Sequence, residues 1–160
     1  MKKTIFITGA AKRIGKEIAL CFSEMGWNII IHYNSSKNDA QVLADEINGN
    51  NPDSAITVQG NLDVKEDVEK VINEVRDAFP TIDLLINNAS TFYPTPIEDI
   101  SEEHWDKLVG SNLKGPLFLI KGLKDKLKES KGSIINITDT NLSKGVANYS
   151  IYSAAKAGLE

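Results

Sequence analysis

The chain is poor in cysteine: Cys21 is the only one among 160 residues. An intrachain disulfide is therefore impossible, which suits a reducing cytoplasm, and no cysteine cluster exists to hold zinc or iron–sulfur. The two histidines, His32 and His104, have no matching cysteine or carboxylate cluster, so no metal site is expected. Positive charge is not in excess, since 18 Lys and Arg against 22 Asp and Glu leave a formal charge of -4. Binding to a phosphate backbone needs the opposite balance, so nucleic acid is not an expected partner. No apolar run approaches the ~20 residues that span a bilayer, and a membrane partner is not expected either. The opening "MKKTIFITG" stops too early for a secretory segment and reads as a first strand. Internal repeats and low-complexity tracts are also missing.

What is present is an ordinary globular composition, 41% apolar and 25% charged, at a length that suits one domain over residues 1–160. Apolar runs rich in β-branched residues recur at 4–8, 27–33, 54–59, 83–88 and 132–138, each patterned as a strand buried on both faces. Segments of helical period separate them, at 12–25, 37–48, 64–78 and 101–129, with a fifth opening near Tyr149. Strands alternating with helices predict βαβ units, hence an α/β fold with a parallel sheet and helices on both faces. Gly26 ends the first helix, "NGNNPDS" at 48–54 reads as a polar loop, and "YPTP" at 93–96 breaks the chain after the fourth strand. Ser101 before two glutamates predicts a helix start. Pro116 lies inside the long fourth helix, where its missing N–H predicts a kink or a break. Cys21 falls in the apolar pattern of the first helix and is expected to be a buried structural thiol.

Unusual residues collect at the strand ends, where ligands of such sheets bind. In "TGAAKRIG" (8–15), Gly9 closes the first strand and Gly15 enters the next helix, a spacing that lets the backbone approach a phosphate. The second strand ends in "HYNSSK" (32–37), with no acid before Asp39. Asn34, Ser35, Ser36 and Lys37 can all donate to phosphate, which favours NADP over NAD, although Ser35 or Ser36 also suits a helix cap. His32 could touch the adenosine side or serve as a structural histidine. "YSAAK" puts Tyr152 and Lys156 four apart on one helix face, a pair able to move a proton while a cofactor moves a hydride. A nearby ammonium and an oxidised nicotinamide ring are expected to stabilise the phenolate and bring its titration closer to neutral pH. His104 and Trp105 are assigned to packing or solvent contact, and the charged run at 121–130 to a solvated helix face.

"TGxxxxxG", "NNA" (87–89), Asn112 and "YxxxK" in this order resemble the short-chain dehydrogenase/reductase family along the whole chain. "TGAAKRIG", "HYN", "SAITVQ", "NNASTFYPTP" and the aspartate of "NITD" are similar, more finely, to its pteridine reductase branch. The resemblance implies a Rossmann-type doubly wound sheet of order 3-2-1-4-5, an NADPH-dependent reduction of pterins or dihydrofolate, and self-association, usually as a tetramer; the alternatives are a general short-chain keto reductase of the 3-oxoacyl thioester type and an inactive NADP-binding module. NADP would be held by Gly9, Arg13, Ile14 and Gly15 on the first turn, and by Tyr33, Asn34, Ser35 and Ser36 after the second strand. Asn61, Leu62, Asn88, Ala89, Ser90, Asn112, Tyr152 and Lys156 would complete the cofactor site. Arg13, standing where most of the family has glycine, would reach both pyrophosphate and pterin. Phe92 would stack the pterin against the nicotinamide, and Ser90 would bond substrate or cofactor. Asp139, standing where most of the family has serine, would work with Tyr152 and Lys156 in catalysis.

Some positions depart from the branch: Ser35 stands where arginine often meets the 2′-phosphate, and Asn61 where an aspartate meets adenine. Chains of this family are typically longer, so we expect a fragment lacking the final strands, with impaired activity. The fifth strand would then be an edge, and the helices around 117–123 and 154–159 would lose apolar cover.

Overall fold

The computed structural model describes residues 2–142 and 144–160. Five strands alternate with helices: β1 (Thr4–Ile7), α1 (Arg13–Glu24), β2 (Asn28–Tyr33), α2 (Lys37–Asn50), β3 (Ala55–Gln59), α3 (Lys65–Ala78) and β4 (Leu84–Asn87). A short 3-10 turn (Ile97–Asp99), α4 (Glu102–Val109), a π turn (Gly110–Lys114), α5 (Gly115–Ser130), β5 (Ser133–Asn136) and α6 (Ser150–Leu159) follow. The strands form one parallel sheet of order β3-β2-β1-β4-β5. This is the α/β doubly wound order expected from the sequence.

Alternate residues of the central strands feed two separate cores, which is why those strands carry apolar residues at consecutive positions. Ile5, Ile7, Ile29, Ile31, Leu84 and Ile86 pack with Ala19 of α1 and Leu43 and Ile47 of α2. Phe6, Ile30 and Leu85 point the other way, to Val68, Val71 and Val75 of α3 and Leu119 and Leu123 of α5. Each of the buried Val, Leu, Ile and Phe side chains contributes roughly 1.5–3 kcal/mol. The cores fix β1 in mid-sheet, with its carboxyl end opening between β2 and β4. At the β5 edge, Ile134 and Ile135 are 41% and 45% exposed. Leu117 and Phe118 are also exposed, whereas Ala155 and Leu159 of α6 are buried. No helix among the described residues is long and apolar enough to cross a membrane.

Two local expectations are corrected. Cys21 is exposed. The buried stripe of α1 runs through Gly15, Ala19 and Ser23, and Cys21, two residues from the last two, turns about 200° away. The polar stretch 48–54 is helical through Asn50. The long fourth helix is broken, as expected, but just ahead of Pro116 rather than at it. The distortion precedes it as the π turn, where the Gly115 N–H bonds the Gly110 carbonyl, and Pro116 then starts α5, where a missing N–H is tolerated.

His32, near the end of β2, is 2% exposed and lies edge-on to Phe6. Its Nδ1 accepts the Gly9 N–H at 3.1 Å, so the proton is on Nε2, which donates to the Gly60 carbonyl at 3.0 Å. Burial lowers its pKa from 6.5 to about 4, with the Gly60 bond acting in the opposite direction. The unfolded chain therefore binds a proton that the folded chain refuses between these values, and folding stability rises with pH across that window. Urea unfolding should show full His32-linked stability above pH 6.5 and a loss of about 3 kcal/mol as pH falls to 4, a loss absent from His32→Asn. Identical pH dependence in both proteins would contradict this role.

Candidate active site

The turn from β1 into α1 is packed too closely for side chains at its two glycines. Gly9 has a φ of 63°, and a Cβ there would lie 2.9 Å from Ala89 Cα. A Cβ on Gly15 would come within 2.5 Å of the Gly9 carbonyl and 2.7 Å of Asn88 Nδ2. The turn is also tethered to β4: Thr8 Oγ1 accepts the N–H groups of Asn88 and Ala89, each at 3.0 Å. Asn88 Nδ2 returns bonds to the carbonyls of Thr8 (2.8 Å) and Gly9 (3.1 Å). α1 then begins with no side-chain cap and no acid in its first turn. Its first amides, together with the positive end of its dipole, are free to meet an anion.

A cleft of about 480 Å³ opens over this turn, within the usual size of a small-molecule site. Gly9, Arg13, Ile14 and Gly15 line its floor, and Asn34, Asn61 and Leu62 one flank. Asn88, Ala89, Ser90, Tyr152 and Lys156 line the other. Arg13 has an exposed side chain and a φ of 51°, a left-handed conformation that disfavours any residue but glycine. Asp39, the first acid after β2, is paired with Lys12 at 3.1 Å. Glycine cradle, free amides, flanking cations and a neutralised acid together fit a phosphate-bearing dinucleotide.

Other expected residues stand behind or beside the cleft rather than in its lining. Tyr33 is buried at the end of β2, Ser35 is exposed, and Ser36 precedes α2 with a hydroxyl that caps nothing. Asn112, fully buried in the π turn, donates to the carbonyls of Thr91 (2.8 Å) and Leu108 (2.9 Å) and accepts from Ser90 Oγ at 2.8 Å. It is thus bonded into the cleft wall. Phe92 stacks on Tyr149, with centroids 4.4 Å apart, and meets the Tyr152 ring edge-on at 4.8 Å. Asp139 Oδ2 accepts the Tyr152 hydroxyl at 2.9 Å.

The electrostatics of this group differ from the sequence expectation. Burial, then the bond and charge of Asp139, push the Tyr152 phenol up to about 12, while Ser90 pulls it down. Lys156 does not counter this. Its Nζ is turned to the Ile137 carbonyl at 2.8 Å, and burial lowers its own pKa, with Asp139 opposing. The Asn141 N–H, then the Tyr152 hydroxyl, hold Asp139 below the usual carboxylate range. The pair at neutral pH is therefore a protonated phenol donating to a carboxylate.

Several contributors carry little sequence signal. Thr8 and Tyr149 hold the turn and the aromatic wall, and Lys12, Thr91, Ser111 and Thr138 join the cleft lining. The threonine preceding Gly9 is the one detectable sign, since a buried hydroxyl there must find partners.

Comparison with known proteins gives a match to the family described as short chain dehydrogenase over residues 3–160. A 3-oxoacyl-[acyl-carrier-protein] reductase of Staphylococcus epidermidis is 32% identical over 160 residues, 99% of this chain and 65% of the relative. Another, from Synechocystis, is 35% identical over 154 residues, 96% of this chain and 62% of the relative. Pteridine reductase 1 of Leishmania tarentolae is 32% identical over 194 aligned positions, 96% of this chain and 66% of the relative. The chain thus spans 62% to 66% of the length of these relatives.

The left-handed backbone at Arg13 generates a stability test. Arg13→Gly should unfold at higher urea, with a gain of up to about 1 kcal/mol, whereas Arg13→Ala should gain nothing. A glycine variant no more stable than the alanine variant would count against strain at this position.

Proposed function

The chain belongs to the short-chain dehydrogenase family, and we propose that within it the protein is an NADPH-dependent reductase of pterins, such as dihydrobiopterin or dihydrofolate. The observation that carries this reading is the hydrogen bond from Tyr152 to Asp139. A keto group needs donors around its oxygen, because negative charge develops there. Asp139 is a carboxylate of lowered pKa and can only accept, so it opposes an oxyanion and suits a substrate that presents N–H groups. An aminopyrimidinone ring presents such groups. Phe92, beside the cleft with one face stacked on Tyr149, keeps 56% of its surface exposed to meet the ring, and Arg13 on the cleft floor offers donors to its acceptors and to phosphate.

NADPH, when bound, supplies a hydride to the carbon of a C=N bond. The nitrogen then needs a proton, and Tyr152 holds one at its Oη, kept in place by Asp139. A phenol near 12 releases its proton only to a strong base, which fits delivery to a nitrogen as its charge develops. Lys156 holds the end of β5 through the Ile137 carbonyl and lies in the cleft lining, where its ammonium can orient a ribose. NADPH is favoured over NADH because the acid after β2 is already paired with Lys12, and Asn34, Ser35 and Lys37 offer donors to a 2′-phosphate. A cytoplasmic location is proposed from the single cysteine, and self-association from the resemblance.

A second reading, reduction of a 3-oxoacyl thioester, is favoured by the names of two of the relatives. NADPH consumption decides between them. Dihydrobiopterin should be turned over with a kcat/KM at least about tenfold above that of an acetoacetyl thioester, and the reverse order selects the second reading. Tyr152→Phe should abolish pterin turnover and leave NADPH affinity nearly intact. Turnover at the wild-type rate in that variant would rule out the phenol as proton donor.

A further inference from the structure

The glycine turn is tethered on its β4 side by Thr8 and Asn88, and on its β2 side the ring of His32 reaches its backbone. That ring is buried, belongs to neither the phenol–carboxylate pair nor the phosphate donors, and spans three strand ends at once. The His32 backbone carbonyl accepts the Ala10 N–H at 2.9 Å, Nδ1 accepts the Gly9 N–H, and Nε2 donates to the Gly60 carbonyl just past β3. Gly9 is thereby held at its N–H by His32, while its carbonyl, in the next peptide group, accepts from Asn88 and lies against Gly15. Moving Gly9 moves Gly15, and with it the first amides of α1.

We propose that His32 is a positioning residue for the dinucleotide: by accepting from Gly9 it sets the turn that presents the α1 amides to phosphate. The proposal rests on the reading of the cleft as a nucleotide site. The two ring nitrogens can be tested separately. An asparagine Oδ1, attached at Cγ like Nδ1, keeps the acceptor for Gly9 and loses the donor to Gly60. A glutamine amide, one bond further out, keeps a donor for Gly60 and loses the acceptor.

Titration of NADP into the wild type, His32→Asn and His32→Gln by calorimetry, with urea unfolding of each, gives the test. We expect His32→Asn to bind within about threefold of the wild type and His32→Gln at least about tenfold more weakly, at similar stabilities of the two variants. The 15N shifts of the wild-type ring should show a proton on Nε2 and none on Nδ1. Equal affinities in all three proteins, affinity losses that simply track stability, or a proton on Nδ1 would overturn the proposal. A wild type that binds no dinucleotide would overturn the nucleotide reading itself, and the positioning role with it.

Discussion

The structure depends on the way the turn after β1 is held. β1 lies in the middle of a sheet whose apolar side chains feed two cores, so its carboxyl end cannot shift without disturbing both. The turn that follows is bonded to β4 through Thr8 and Asn88 and to β2 through His32, and its glycines leave no room for a Cβ. A loop so constrained cannot adapt to a ligand. It is a preformed floor, which lowers the ordering cost of binding and keeps the α1 amides aimed at one place. An arginine held there against its backbone preference is consistent with a task outside folding.

The second half of the site is built by a different device. The π turn between α4 and α5 buries Asn112, which ties the Thr91 carbonyl and Ser90 to the helix, while α6 brings Tyr152 against Asp139. These two halves meet across the cleft. One supplies donors and positive potential, and the other supplies a protonated phenol and an acceptor. That division suits a phosphate-bearing cofactor on one side and a substrate with N–H groups on the other.

The sheet is legible in the sequence because apolar runs such as 29–31 and 84–86 are buried on both faces, and neither a surface helix nor a loop produces that pattern. The glycine spacing and the Tyr152–Lys156 pair are legible because their chemistry is local. What escapes depends on long-range placement. The apolar surroundings of Cys21 in the sequence suggest burial, yet its angle on α1 turns it to solvent. The direction of the Tyr152 shift cannot be read from Lys156 next to it on the helix. The Ile137 carbonyl that claims the ammonium and the carboxylate that claims the phenol both come from another segment. His32 leaves two roles open in the sequence, and its bonds to Gly9 and Gly60, beyond the ends of two other strands, are long-range contacts that the sequence does not display.

A crystal structure of the protein with NADP and a dihydropterin tests the central claim most directly. The heterocycle should lie on the cofactor ring beside Phe92, with an N–H donating to the Asp139 carboxylate and the Arg13 guanidinium turned to phosphate. A complex with Asp139 free of substrate and Arg13 directed into solvent would contradict it.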